Sequence, residues 1–197
     1  MEKKLLITGF DPFGENSINP SWEAVKLLPE RIGAYTIYKM GIPTVFGKAA
    51  EMVLSCAQEL QPDVIISVGL AGGRDAVTPE RIAVNIRDAR IADNQGFQPS
   101  GERIVPEGPA AYFSTLPVEN MAQAIRQAGI PAAVSNTAGT FVCNDVLYTL
   151  LHHFDGTDLR AGFIHVPYLP SQGNPNMELS DIVKALTAAI EALTAEE

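Results

Sequence analysis

Short apolar runs alternate with amphipathic stretches along almost the whole chain, and this alternation restricts the fold more than any other feature. "KLLITGF" (4–10), "AYTIYKMGIP" (34–43), "PDVIISVGLAGG" (62–73), "PAAVSN" (131–136) and "LRAGFIHVP" (159–167) have the length and content of strands. Between and after them, "SWEAVKLLPE" (21–30), "GKAAEMVLSCAQEL" (47–60), "PVENMAQAIRQAG" (117–129), "NDVLYTLLHHF" (144–154) and "LSDIVKALTAAIEAL" (179–193) read as helices. In the second of these, Ala50, Val53, Leu54, Ala57 and Leu60 fall on one helical stripe. Ser21 is the expected N-cap of the first helix, and Gly129 lies just past the end of the third. Strands alternating with helices are the βαβ signature of a mostly parallel sheet covered on both faces. The expected class is therefore α/β, a three-layer α/β/α sandwich around a mostly parallel twisted sheet. Residues 77–105 break the rhythm with alternation and turn residues but no helical period, so an antiparallel excursion or extended hairpin is expected there. The length of 197 residues, with no internal repeat and no linker, suits one catalytic domain spanning 1–197.

Charge and cysteine usage narrow the function classes. A formal net charge of −9, with no Lys/Arg cluster, speaks against a nucleic-acid partner, because binding to phosphate backbones draws on counterion release by clustered cations. Gly9 and Asp11-Pro12 cut the N-terminal apolar run short of a signal-peptide core. No window approaches the roughly 18 apolar residues of a membrane span, so no membrane partner is expected and the expected location is cytoplasmic. The two cysteines, Cys56 and Cys143, do not make a disulfide framework, and no Cys or His pair has zinc spacing, so no metal is expected.

Reactive groups in open α/β sheets collect beyond the carboxyl ends of the strands. Three such ends carry chemistry, and they bring Glu80, Cys143 and His165 to one edge. After Cys143, the residues Val146, Leu147, Leu150, Leu151 and Phe154 form a helical stripe, which puts the thiol in the N-terminal turn or cap. There the helix dipole and unpaired N–H groups stabilise a thiolate and lower its pKa, and the same N–H groups can hold an oxyanion. The competing reading is a small, inert core thiol.

A nucleophilic thiol calls for a histidine as base. His152 lies nine residues along the same helix, about 13 Å away at the standard rise, and neither it nor His153 can reach. His165 ends a strand on the expected active edge. A third group should orient its imidazole, and Glu80 is a carboxylate at the start of the apolar alternation "RIAVNI". A salt bridge from Glu80 to Arg81 or Arg74 competes with that role. Phe10 and Phe13, on the loop "GFDPFGENSINPSW", offer two aromatic rings at the same edge and suggest a flat, apolar ligand. "LAGGR" also reads weakly as a phosphate cradle, which keeps two rivals open. One is a nucleoside phosphorylase or hydrolase; the other is a binding module for a small planar ligand.

These pieces together resemble the pyroglutamyl peptidase I family of cysteine peptidases. "GLAGGRDAVTPERIAVN" (69–85) matches the family's glutamate signature and "IPAAVSNTAGTFVCN" (130–144) its cysteine signature. "GFDPFG", "NPSW", "DARIADNQG" and "HVPYLP" match in the same order. The resemblance implies a Cys–His–Glu triad of Cys143, His165 and Glu80, and removal of N-terminal pyroglutamate from peptides. It implies that Phe10 and Phe13 sandwich the lactam ring, that residues around Asn19, Phe141 and Val142 help line the pocket, and that Arg90 lies near the oxyanion. It further implies no cofactor and a homotetramer. One departure stands out: Leu70 occupies the position of a common glutamine, which matters only if that side chain, rather than the backbone, contacts the lactam.

Overall fold

The computed structural model describes residues 3–194. Its strands and helices are β1 (Lys3–Phe10), α1 (Pro20–Leu27), β2 (Arg31–Ile32), β3 (Tyr35–Ile42), α2 (Lys48–Leu60), β4 (Val64–Leu70), β5 (Thr78–Pro79), β6 (Ile82–Val84), β7 (Ala111–Phe113), α3 (Val118–Gln127), α4 (Val142–His153), β8 (Arg160–Val166) and α5 (Leu179–Glu191). A six-stranded sheet runs β2-β3-β1-β4-β8-β5. The four central strands are parallel, while the short edge strands β2 and β5 are antiparallel to their neighbours.

The expected layering is present, and residue alternation explains it. Ile66 and Val68 of β4 and Ile164 and Val166 of β8 point into one cluster with residues of α1, α3 and α5. Their strand neighbours Ile65, Ala161 and Phe163 point to the opposite face, against α2 and α4. Strands buried on both faces read as continuous apolar runs, as the parallel-sheet pattern requires. Each fully buried Leu, Ile or Phe contributes roughly 1.5–3 kcal/mol, so this double-faced burial dominates the stabilisation.

Two local expectations are corrected, and the expected antiparallel excursion is present in more detail. Helix α1 begins at Pro20 with Asn19 as its N-cap, two residues earlier than a Ser21 cap. Proline has no N–H to lose and its φ is preset for the first helical position, so the helix starts there. The Asn19 side chain accepts from both Ser21 N (3.1 Å) and Ser21 Oγ (2.8 Å). The segment 131–136 is extended but joins no ladder; it makes isolated parallel bridges, Val77 to Ala132 and Glu80 to Ser135. Four backbone bonds link the segments, Val77 N to Pro131 O, Ala133 N to Val77 O, Ser135 N to Pro79 O and Arg81 N to Ser135 O, and the missing donor of Pro79 interrupts the run. The excursion after β4 is split: β5 pairs back onto β8, and β6 pairs with β7 as a separate two-stranded ribbon. Among the described residues, no helix is long and apolar enough to cross a membrane, and no cluster of three His, Cys, Asp or Glu could hold a metal ion.

Candidate active site

The strand order reverses direction beside β1. The chain leaves β1 through α1 to β3 on one side, then returns through α2 to β4 on the other. A crevice opens beyond the carboxyl ends of strands at such a point. Here it is a cavity of about 200 Å³ whose walls include Phe10 from the end of β1, Leu70 from the end of β4, His165 from β8, and Phe13, Phe141 and Cys143.

His165 and Glu80 meet because β5 folds back antiparallel on β8. The register puts Thr78 opposite His165, and Glu80 N donates to Phe163 O at 2.9 Å. The His165 Nδ1 to Glu80 Oε1 distance is 2.7 Å, and both side chains are almost wholly buried. Burial alone would push the Glu80 carboxyl up. The hydrogen bond and charge of His165, then the nearby Ser135 hydroxyl and Arg74, outweigh burial and hold it below the ordinary carboxylate value. An ionised Glu80 accepts, so His165 donates through Nδ1–H and keeps Nε2 as the free acceptor.

Cys143 occupies the first turn of α4, behind the Phe141 N-cap. Its thiol lies over Gly69: a Cβ built on Gly69 would come within 2.9 Å of Sγ. Gly69 is the register partner of His165 on the adjacent strand, so the missing side chain at 69 gives the thiol its seat beside the imidazole. The electrostatics depart from the sequence expectation of a dipole-lowered thiolate. Burial, followed by the Glu80 charge, pushes the thiol up to about 12, although Arg74 and the residue's own backbone N–H pull the other way. Desolvation thus works against the helix terminus at this thiol.

The other expected residues distribute unevenly. Phe10 is almost fully buried against Phe163, with ring centroids 6.2 Å apart, yet still lines the cavity. Phe13 and Phe141 are 6.1 Å apart, and Phe141 meets Phe46 edge-on at 5.2 Å, so the mouth is walled by a chain of rings. Asn19 lines the cavity and also donates to Asp11 O at 2.9 Å, which fixes the loop bearing Phe13. Val142 is wholly buried in the α2/α4 core and is absent from the cavity wall. Arg90 is exposed and is likewise absent from that wall.

Sequence reasoning set Arg74 against His165 as rival partners of Glu80, whereas both bond the same oxygen. Arg74 Nη1 reaches Glu80 Oε1 at 2.6 Å and Thr78 Oγ1 at 2.5 Å, and Nη2 donates to Thr137 O at 3.0 Å. The phosphate-cradle reading of "LAGGR" loses its parts, since this arginine is engaged and Gly72 lies against the Tyr168 ring. The seat at Gly69 was also missed; a glycine within an apolar strand run is the signal for a close approach there.

Comparison with known proteins finds relatives over almost the whole chain. A family model described as pyroglutamyl peptidase matches residues 3–196. The chain is 56% identical to a pyrrolidone-carboxylate peptidase of Levilactobacillus brevis over 96% of this chain and 97% of that one. It is 52% identical to the enzyme of that name from Lactobacillus johnsonii, over 96% and 92%. The crystal structure of pyroglutamyl peptidase I from Bacillus amyloliquefaciens superposes with a TM-score of 0.95 at 48% identity, covering 99% of this chain and 98% of that one. The pyrrolidone carboxyl peptidase of Thermococcus litoralis gives a TM-score of 0.93 at 40% identity, covering 98% and 94%. Fold and sequence thus converge, and the chain belongs to the pyroglutamyl peptidase family of cysteine peptidases.

Proposed function

We propose that the chain removes N-terminal pyroglutamate from peptides by thiol chemistry in which Cys143 is the nucleophile, His165 the base and Glu80 the group that orients and supports the imidazole. The observation that carries the residue roles is the buried His165 Nδ1–Glu80 Oε1 contact of 2.7 Å, which turns Nε2 of His165 toward the cavity that Cys143 shares.

His165 Nε2 takes the proton from the Cys143 thiol as sulfur attacks the carbonyl joining pyroglutamate to the next residue. Burial and the Glu80 charge hold the thiol above its ordinary value, so sulfur needs His165 to take its proton. The imidazolium forms against the ionised Glu80. The new oxyanion rests on the Cys143 N–H, one of the first-turn donors that α4 leaves without an intrahelical partner. His165 then protonates the departing amine as the C–N bond breaks. Water, deprotonated by His165, cleaves the thioester, returning the thiol and releasing pyroglutamate.

Pyroglutamate lacks a free α-amine, and the cavity wall offers aromatic rings in place of a carboxylate to pair an ammonium. Backbone from β4 completes the recognition. Ala71 N bonds Val166 O of β8, so by alternation Leu70 points its N–H and C=O toward β1, whose pairing with β4 ends at Gly9 and Val68. That free donor and acceptor suit the lactam's own C=O and N–H, which makes the Leu70 side chain a wall rather than a contact. The protein works as a cofactor-free homotetramer in the cytoplasm, a reading supported by the family resemblance. Release of a fluorogenic amine from a pyroglutamyl conjugate, followed in Cys143→Ala and in Glu80→Gln, tests the proposal. Sedimentation velocity tests the assembly.

A further inference from the structure

The buried carboxylate of Glu80 is bonded lopsidedly. Its Oε1 receives both His165 Nδ1–H (2.7 Å) and Arg74 Nη1–H (2.6 Å), while Oε2, equally buried, receives no donor. Two cationic or cation-forming groups therefore converge on one oxygen. Arg74 is itself held on three sides, by Glu80, Thr78 Oγ1 and the Thr137 carbonyl, and its side chain is 28% exposed. It also lines the cavity beside Cys143. The groups facing this oxygen are His165 from β8, Arg74 from the turn after β4, and the hydroxyls of Thr78 and Ser135; Cys143 faces the pair from α4. Arg81, the other arginine adjacent to Glu80 in sequence, is turned away and pairs with Glu119 at 2.5 Å.

We propose that Arg74 is a positioning residue for catalysis: it pins the Glu80 carboxylate, so that His165 is held in the orientation that presents Nε2 to the Cys143 thiol. This rests on the Cys143–His165–Glu80 reading above. Arg74 acts through Glu80: three of its five N–H donors are engaged by Glu80, Thr78 and Thr137, which fixes the guanidinium against the carboxylate. Removing a cation beside a coupled carboxylate–imidazole pair makes the pair take up a proton more readily, and it leaves a buried carboxylate with one donor in place of two.

The test is the pH profile of kcat/KM for pyroglutamyl-amidomethylcoumarin in wild type, Arg74→Gln, Arg74→Lys, Glu80→Gln and the Arg74→Gln/Glu80→Gln double variant. Arg74→Gln should move the acid limb up by about one pH unit and lower kcat about tenfold at neutral pH with KM little changed. Arg74→Lys, which keeps the charge, should return the limb toward wild type. In the double variant Arg74→Gln should cost less than about threefold beyond Glu80→Gln alone, because the residue through which it acts is already gone. That comparison still decides the matter if Arg74→Gln alone does not fold, since the double variant leaves no buried unpaired carboxylate. An unmoved acid limb, or losses that simply multiply, would overturn the role of Arg74 while leaving the triad intact. Wild-type activity in Glu80→Gln would instead overturn the triad reading itself.

Discussion

Gly69 and His165 are register partners on β4 and β8, and the Cys143 sulfur sits where a side chain on Gly69 would be. The nucleophile's position therefore depends on a residue that contributes no functional group. A methyl at 69 would come within 2.9 Å of Sγ and 2.7 Å of the Phe163 ring, so the thiol or the ring must shift. Gly69→Ala should lower kcat/KM by about 100-fold, the scale associated with a misplaced reacting group, and cost roughly 1–3 kcal/mol of stability from overpacking. Steady-state kinetics and denaturant melts measure the two effects. Near-native activity would show that the thiol does not need this seat.

The raised Cys143 thiol sets the alkylation behaviour. With burial and Glu80 holding Cys143 up at about 12, a variant without the base, His165→Asn, should react with iodoacetamide at a rate climbing about tenfold per pH unit, without levelling below pH 10. Wild type should react faster near neutrality because His165 can accept the proton. Peptide-resolved mass spectrometry separates Cys143 from Cys56. A His165→Asn rate that levels near pH 7 would mean the helix terminus had prevailed over desolvation.

The same two groups shape stability against pH. Glu80 is held below its ordinary value in the fold, so its contribution is complete above the usual carboxylate range and is lost as pH falls through the depressed value. Cys143 is raised from 9.0 to about 12, so the folded state holds the proton longer, and stability falls as pH rises across that interval. Urea melts should show a shallower acid decline in Glu80→Gln and a shallower alkaline decline in Cys143→Ala than in wild type.

Leu70 provides a test of backbone recognition. If the lactam bonds to the main chain at 70, Leu70→Gln should leave KM for a pyroglutamyl substrate within about threefold of wild type, since no hydrogen bond is gained or lost. A much larger fall in KM would show that the glutamine side chain makes a contact this chain lacks.

Much of this arrangement was legible in the sequence because it depends on periodicity. The strands and helices follow from apolar spacing, and the stripe from Val146 to Phe154 placed Cys143 at a helix terminus, where the chain has it. Glu80 could be singled out as a carboxylate heading an apolar run, but not its sharing between His165 and Arg74, because that depends on β5 folding back onto β8. The raised thiol was hidden for a related reason. Position in a helix is local, whereas desolvation is a property of everything packed around the group. Val142 illustrates a different limit: next to Phe141 and Cys143 in sequence, it turns into the core behind them rather than toward the cavity.

The most direct measurement is turnover of pyroglutamyl-amidomethylcoumarin by wild type, Cys143→Ala and Cys56→Ser in matched preparations. The account predicts that Cys143→Ala loses all but about one part in 10⁴ of kcat or less, while Cys56→Ser stays near wild type and a chelator changes nothing. Full activity in Cys143→Ala, or loss confined to Cys56→Ser, would contradict it.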